Sequence, residues 1–146
     1  MKKDAYSVNI SDIGEGDNFI CVFIKDNDDY VFIKNKSDVY LPVLIHTDGF
    51  NNVEDNIIKV KKHFIKWFGI EPNIGCVSQN CYSLYPILDV KFFPMVCNFE
   101  TEDEGKNIKW YNNTCTLEKV NAGNMEMWRN NNYFFDTFLR EMVKVN

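Results

Sequence analysis

Residues 54–68, EDNIIKVKKHFIKWF, constrain the fold more than any other stretch of the chain. At about 100° per residue, Ile57, Val60, Phe64, Trp67 and Phe68 fall in one arc about 100° wide, the core face of an amphipathic helix. Lys59, Lys62, His63 and Lys66 fall in a second arc of similar width, roughly opposite. Ile58 and Ile65 make a third, narrow apolar stripe, so the pattern predicts a helix touched from two sides. Gly69 suits the left-handed residue that closes a helix, and Pro72 forbids continuation soon after. One long helix must therefore lie against a core that the rest of the chain supplies.

The rest of the chain reads mainly as strands. Residues 19–24, FICVFI, are a continuous apolar run with β-type side chains. A polar turn at 25–28 separates them from Tyr30-Val31-Phe32-Ile33, and two such runs across a turn predict a β-hairpin. Residues 40–46, YLPVLIH, are a shorter extended piece that Pro42 confines to a sheet edge or a strand start. Beyond the helix, 75–84 read as extended and KFFPMVCNF (91–99) as a strand interrupted by Pro94. ETEDEGK (100–106) reads as an acidic turn, NIKWYN (107–112) as the returning strand, and 116–120 as a short helix. A last helix is predicted over 131–145, with Phe134, Phe135, Phe138, Leu139, Met142 and Val143 at helical spacing. The order predicts an α+β domain, an α/β/α sandwich with a mixed sheet. Residues 1–17 read as an irregular lead-in and 18–146 as a single domain. At 146 residues and 45% hydrophobic content, such a domain buries about two-thirds of its unfolded surface without staples.

Charge narrows the partners. The net charge is −5, so the chain as a whole does not attract nucleic acid or anionic membrane, and any phosphate contact must come from a local patch. Fourteen Lys stand against two Arg, Arg129 and Arg140, beside nineteen Asn. That is the coding bias of an AT-rich genome, and scarce Arg weakens any base-reading role. Five cysteines (Cys21, Cys76, Cys81, Cys97 and Cys115) form no CxxC pair and read as reduced and structural. MKKDAYSVNIS lacks the apolar core of a signal peptide, and no run reaches the roughly 20 apolar residues of a membrane span. The expected setting is soluble, intracellular and cytoplasmic, with the sequons at Asn9, Asn35 and Asn112 arising by chance.

With these elements in order, the helix and its flanks resemble the Nudix signature, G-x5-E-x7-R-E-U-x-E-E-x-G-U, where U is a bulky apolar residue. Aligned on Gly69-Ile70, the first Glu falls on Glu54, the Arg on Lys62 and the first U on Phe64. The opening Gly position is Asp48, with Gly49 one residue late. The three remaining Glu positions hold His63, Lys66 and Trp67. VYLPVLIHTDGF and NIKWYNNTCTLEKV also resemble segments flanking that signature, and the resemblance spans residues 18–144.

In that family the box glutamates hold Mg²⁺ or Mn²⁺ against a diphosphate, and the ion activates water. Lys66 and Trp67 offer no oxygen ligand, and the His63 nitrogens suit softer metals. Lysine in place of glutamate repels a divalent cation. The resemblance thus implies a chain without metal, cofactor or catalytic residues, and without the family's hydrolysis. Glu54 either pairs with Lys62, as the resemblance implies, or is simply an acid favoured in a first helical turn.

The Lys59, Lys62, His63 and Lys66 face admits three readings: a solvated surface, an anion site where lysines replace the ion, or a protein-docking face. Three functions follow. One is a non-catalytic Nudix-like module docked on an RNA–protein assembly such as the ribosome, with a protein contact through Ile58 and Ile65. Another is a nucleotide binder in the former substrate cleft, with Trp67, Tyr40 or Phe50 stacking the base. The last is a metal-dependent hydrolase of nucleoside diphosphate-linked substrates that recruits Glu54 with Glu100 or Glu102. The cluster Glu100, Glu102, Asp103 and Glu104 lacks EF-hand spacing, and neither His46 nor His63 has an acid pattern around it that marks a catalytic dyad. Trp128 and Tyr133, near Arg129, read as core residues.

Overall fold

The structure, a computed structural model, describes residues 16–34, 40–47, 52–78, 80–84, 88–99, 107–110 and 113–144. Most of the expected lead-in lies outside the described residues. So do Asp48, Gly49, Phe50, Glu100, Glu102, Asp103, Glu104 and the three sequons.

The apolar run becomes β1 (Asn18–Asp26), and the second run becomes β2 (Asp29–Lys34). They pair antiparallel, with Asp26 opposite Asp29 across a two-residue turn. Asn27 takes a left-handed φ of 56° there, a conformation that Asn tolerates better than most side chains. β2 then leaves β1, and the chain fills the gap with β3 (Tyr40–Leu41) and β4 (Val43–His46). β3 pairs with β2, and β4 pairs with β1. Pro42 stands between the two strands, so the fork falls where a residue cannot donate to a ladder.

After helix α1 (Val53–Phe68), β5 (Asn73–Val77), β6 (Tyr82–Leu84) and β7 (Leu88–Asn98) follow. β7 runs parallel to β1, from Asn18 opposite Lys91 to Lys25 opposite Asn98, and β5 and β6 pair with its other edge. β8 (Asn107–Trp110) and β9 (Asn113–Val120) form a hairpin, with β9 against β2. The sheet is therefore mixed, in the order β5-β7-β1-β2-β9-β8. α2 (Ala122–Asn131) and α3 (Tyr133–Lys144) complete the chain.

Two expectations need correction. Residues 116–120 are strand, not helix. Thr116 to Val120 pair residue by residue with Lys34 to Tyr30, and this long-range ladder overrides local preference. Pro94 does not interrupt its strand. Its carbonyl accepts from the Ser78 N–H at 3.1 Å, so its nitrogen faces that same edge, beyond the last β5 residue, where no donor is needed. The helix expected over 131–145 is present as α3, and α2 precedes it unexpected; Asn132 N–H donates to the carbonyls of Trp128 and Arg129 at the break between them.

Strand alternation divides the interior into two layers. Phe19, Cys21 and Phe23 face one side of the sheet, with Phe32, Leu44 and Phe92. Met125, Trp128, Phe135, Phe138, Leu139 and Met142 cover that side from α2 and α3. Ile20, Val22 and Ile24 face the other, with Val31, Ile33 and Ile45, under Val60 and Phe64 of α1. The fold is α+β, with the sheet between α1 and the α2–α3 pair. Trp128 is core, as expected. It lies 4.3 Å from Phe32, centroid to centroid, and its Nε1–H donates to the Tyr40 carbonyl. The Tyr133 side chain lies outside the described residues.

Gly75 sits at a register shift between Ile74 and Cys76, which turns Cys76 to the α3 side while Ile74 faces α1. A Cβ at Gly75 would meet Asn98 Nδ2 at 3.1 Å and the Val96 carbonyl at 3.4 Å, so a larger residue at the bulge would have to displace the Asn98 side chain. Cys21, Cys76 and Cys97 are buried free thiols and Cys81 is an exposed one. Among the described residues no helix is long and apolar enough to cross a membrane.

Candidate functional site

α1 begins one residue earlier than its pattern indicates. Asn52 caps it, its side chain accepting from the Asp55 N–H at 2.8 Å. Glu54 and Asp55 sit in the first turn, where the helix dipole favours acids. Gly69 closes the helix at φ 72°, its N–H on the Ile65 carbonyl at 2.9 Å. This is the left-handed cap that the sequence foretells. Val60 and Phe64 are fully buried, and Ile57, Trp67 and Phe68 pack half-buried beside them. Phe64 meets Phe68 and Phe99 edge to face. Ile70, beyond the cap, is exposed.

The basic arc does not act as one surface. Lys59 is half-buried and turns back to the end of β4, with Nζ 3.4 Å from the His46 carbonyl and 3.5 Å from Thr47 Oγ1. His63 Nδ1 lies 2.8 Å from the Lys59 carbonyl, and its ring packs on Trp67 with centroids 4.8 Å apart. Lys62 and Lys66 are exposed and make no ion pair among the described residues. They stand one turn apart on the outer surface. Lys61, outside the basic arc, pairs with Glu71 at 3.0 Å.

Two expectations about this helix change. Glu54 and Lys62 form no pair among the described residues; eight residues of helix separate them by about 12 Å. Glu54 is exposed and acts as a first-turn acid. Ile58 and Ile65 are not covered from a second side, being 52% and 50% exposed. The outer face of α1 is thus an exposed band in which Ile58 and Ile65 run beside Lys62 and Lys66.

The expected stacking residues do not converge. Trp67 packs on the α1 side of the sheet and Tyr40 on the α2–α3 side, so no base can lie between them. Lys34 Nζ lies over the Tyr40 ring, 5.8 Å from its centroid. Among the described residues no three His, Cys, Asp or Glu side chains converge as metal ligands.

Sequence reasoning missed two features near this face. His46 Nε2 lies 4.0 Å from Asp17 Oδ2, and its ring packs on Phe19; Asp17 precedes the first strand, and the antiparallel pairing of β1 with β4, Phe19 opposite His46, brings this end of the chain beside β4. Asn56 is 3% exposed, and among the described residues its Oδ1 has no hydrogen-bond partner. Its place at 200° on the helical wheel, between His63 and Trp67, is legible at about 100° per residue. The chain matches no known family profile and shows no significant similarity to any curated protein.

Proposed function

We propose that the chain is a non-catalytic, Nudix-like binding protein that docks on an RNA–protein assembly through the outer face of α1. The observation that carries this reading is the division of the basic arc. Lys59 and His63 are held by the protein's own backbone, whereas Lys62 and Lys66 stand exposed beside Ile58 and Ile65. A convex band of ammonium groups and branched apolar side chains suits a large surface carrying both phosphate and apolar patches. It does not enclose a small nucleotide, and two of the three alternative stacking aromatics, Trp67 and Tyr40, lie on opposite sides of the sheet.

The Nudix-like part of the proposal draws on element order. A hairpin, a wedge of two short strands, a helix closing at Gly69-Ile70 and C-terminal helices on the opposite face follow the order the resemblance implies. The non-catalytic part draws on His63, Lys66 and Trp67. The first and last of these form a packed ring pair where the motif carries carboxylates.

Co-sedimentation with large particles from the native cell tests the reading. Association is expected to fall steeply with salt and to be lost in Lys62→Glu/Lys66→Glu, with Lys59→Met close to wild type. Failure of the chain to co-sediment overturns docking. Pyrophosphohydrolase turnover with Mg²⁺ or Mn²⁺ that Glu54→Gln abolishes would show a hydrolase instead.

A further inference from the structure

Both arginines of the chain reach the same carboxylate. Arg140 Nε donates to Asp136 Oδ2 at 2.6 Å, and Arg129 Nε lies 3.0 Å from Asp136 Oδ1. Asp136 is buried at the start of α3, whereas the Arg129 and Arg140 side chains are 36% and 59% exposed. Among the described residues one negative charge is paired with two positive ones, an excess of about one unit of positive charge at this spot on an acidic protein.

The hydrogen bonding is also incomplete. Arg129 Nε and Asp136 Oδ1 are close, yet neither has an aligned hydrogen-bond partner. Each guanidinium approaches Asp136 through Nε. Among the described residues the terminal Nη groups of both have no partner. A guanidinium carries five N–H donors in a planar fork. Two forks anchored at a shared carboxylate, with their outer donors exposed, are partly organised before any ligand arrives. Tyr30 stands beside them. It is half-buried, stacks on Phe32, and packs against the α2–α3 core. Burial pushes its hydroxyl up in pKa, and the Arg129 charge opposes that shift.

We propose that Arg129 and Arg140 form an oxyanion site for a phosphate monoester on the α2–α3 side of the sheet, with the Tyr30 ring at its edge. A phosphate dianion supplies the negative charge this cluster lacks and accepts from both forks at once. Arg129–Asp136 joins α2 to α3, and such a staple needs only one arginine. Arg140, which reaches the same carboxylate from within α3, adds a second guanidinium that the staple does not require. The site lies across the sheet from α1 and does not depend on the docking face.

Only two arginines exist, so the ¹⁵N-labelled protein gives two Nε–Hε signals. Titration with inorganic phosphate at constant ionic strength should shift both signals together and saturate. Chloride at the same ionic strength should shift neither. Arg140→Lys keeps the charge but removes the fork, and should weaken the response of the remaining signal about tenfold. Lys62→Glu/Lys66→Glu should leave it unchanged. Adenosine 5′-monophosphate distinguishes the source of the phosphate: tighter binding than inorganic phosphate assigns the Tyr30 ring to a base, and equal binding assigns the site to free phosphate. Signals that stay fixed as phosphate reaches tens of millimolar overturn the proposal. So does a response unaltered in Arg140→Lys.

Discussion

The rings of His63 and Trp67 pack against each other at 4.8 Å on the flank of α1, one helical turn apart. The histidine is fixed in turn by the Lys59 carbonyl, 2.8 Å from Nδ1. This pair makes the flank of α1 a packed surface. Its residues therefore differ in what they contribute to stability.

Substitutions along α1 should follow a gradient. Phe64 is fully buried and touches Phe68 and Phe99, so Phe64→Ala should cost about 3–5 kcal/mol. Trp67 is half-buried and keeps part of its surface in water; Trp67→Ala should cost about 2 kcal/mol. Lys66→Ala, on the exposed face, should stay within about 0.5 kcal/mol. Urea unfolding of the three variants gives the order directly. A Lys66→Ala loss equal to that of Trp67→Ala would place Lys66 in a packed contact and reverse the description of the outer face.

Asn56 predicts a gain. Its side chain is buried, and among the described residues its Oδ1 lacks a partner. Leucine has a similar branched shape and no polar atom to desolvate. Replacing an unsatisfied buried polar group by an apolar one is favourable, so Asn56→Leu should raise stability by about 1 kcal/mol. An unfolding midpoint below wild type would mean that the amide holds a partner supplied by ligand, water or the neighbouring chain segment.

The end of α1 gives a third test. Gly69 occupies φ 72° with open space where a Cβ would point. Crowding therefore cannot be the penalty for Gly69→Ala; only the left-handed backbone can. The cost should be about 1 kcal/mol, and Gly69→Asn should recover part of it because Asn enters this region more readily. Equal stability of the Ala and Gly forms would show that the cap reorganises.

What the sequence disclosed and withheld follows from the range of the interactions involved. The limits of α1 were legible because an arc of apolar residues and a glycine stop are local signals. The first hairpin was legible for the same reason. β9 was not: Thr116 to Val120 carry no local preference strong enough to outweigh a helical reading, and their pairing with β2 joins positions more than eighty residues apart. α2 was missed because Gly123 and three Asn in AGNMEMWRNN weaken helix propensity, and the burial of Met125 and Trp128 sustains it. The basic arc was visible on the helical wheel, yet its division into held and exposed halves was not, because it depends on where β4 ends. The gathering of Arg129 and Arg140 on Asp136 was half-visible: the i,i+4 pair lies within one helix, whereas Arg129 arrives from another.

The buried thiols predict how stability responds to alkali. Cys21 and Cys97 lie on β1 and β7 and face opposite sides of the sheet. Burial pushes the Cys97 thiol up to about 12 and the Cys21 thiol well above its ordinary 9.0. The folded chain thus keeps both protons where the unfolded chain releases them. Above the unfolded thiol pKa the unfolded state binds fewer protons than the native state, so stability falls as pH rises, until the native thiols themselves ionise. Below that pKa both states are protonated and the effect vanishes. Each thiol contributes a slope of roughly 1.4 kcal/mol per pH unit within this window. Other groups also titrate there, so the informative quantity is the difference between wild type and Cys97→Ala. Urea unfolding at about pH 8 and about pH 10.5 should show the variant losing less stability than wild type over the interval. Parallel losses in the two proteins would mean that Cys97 reaches solvent in the native state, and would contradict its position beneath α1.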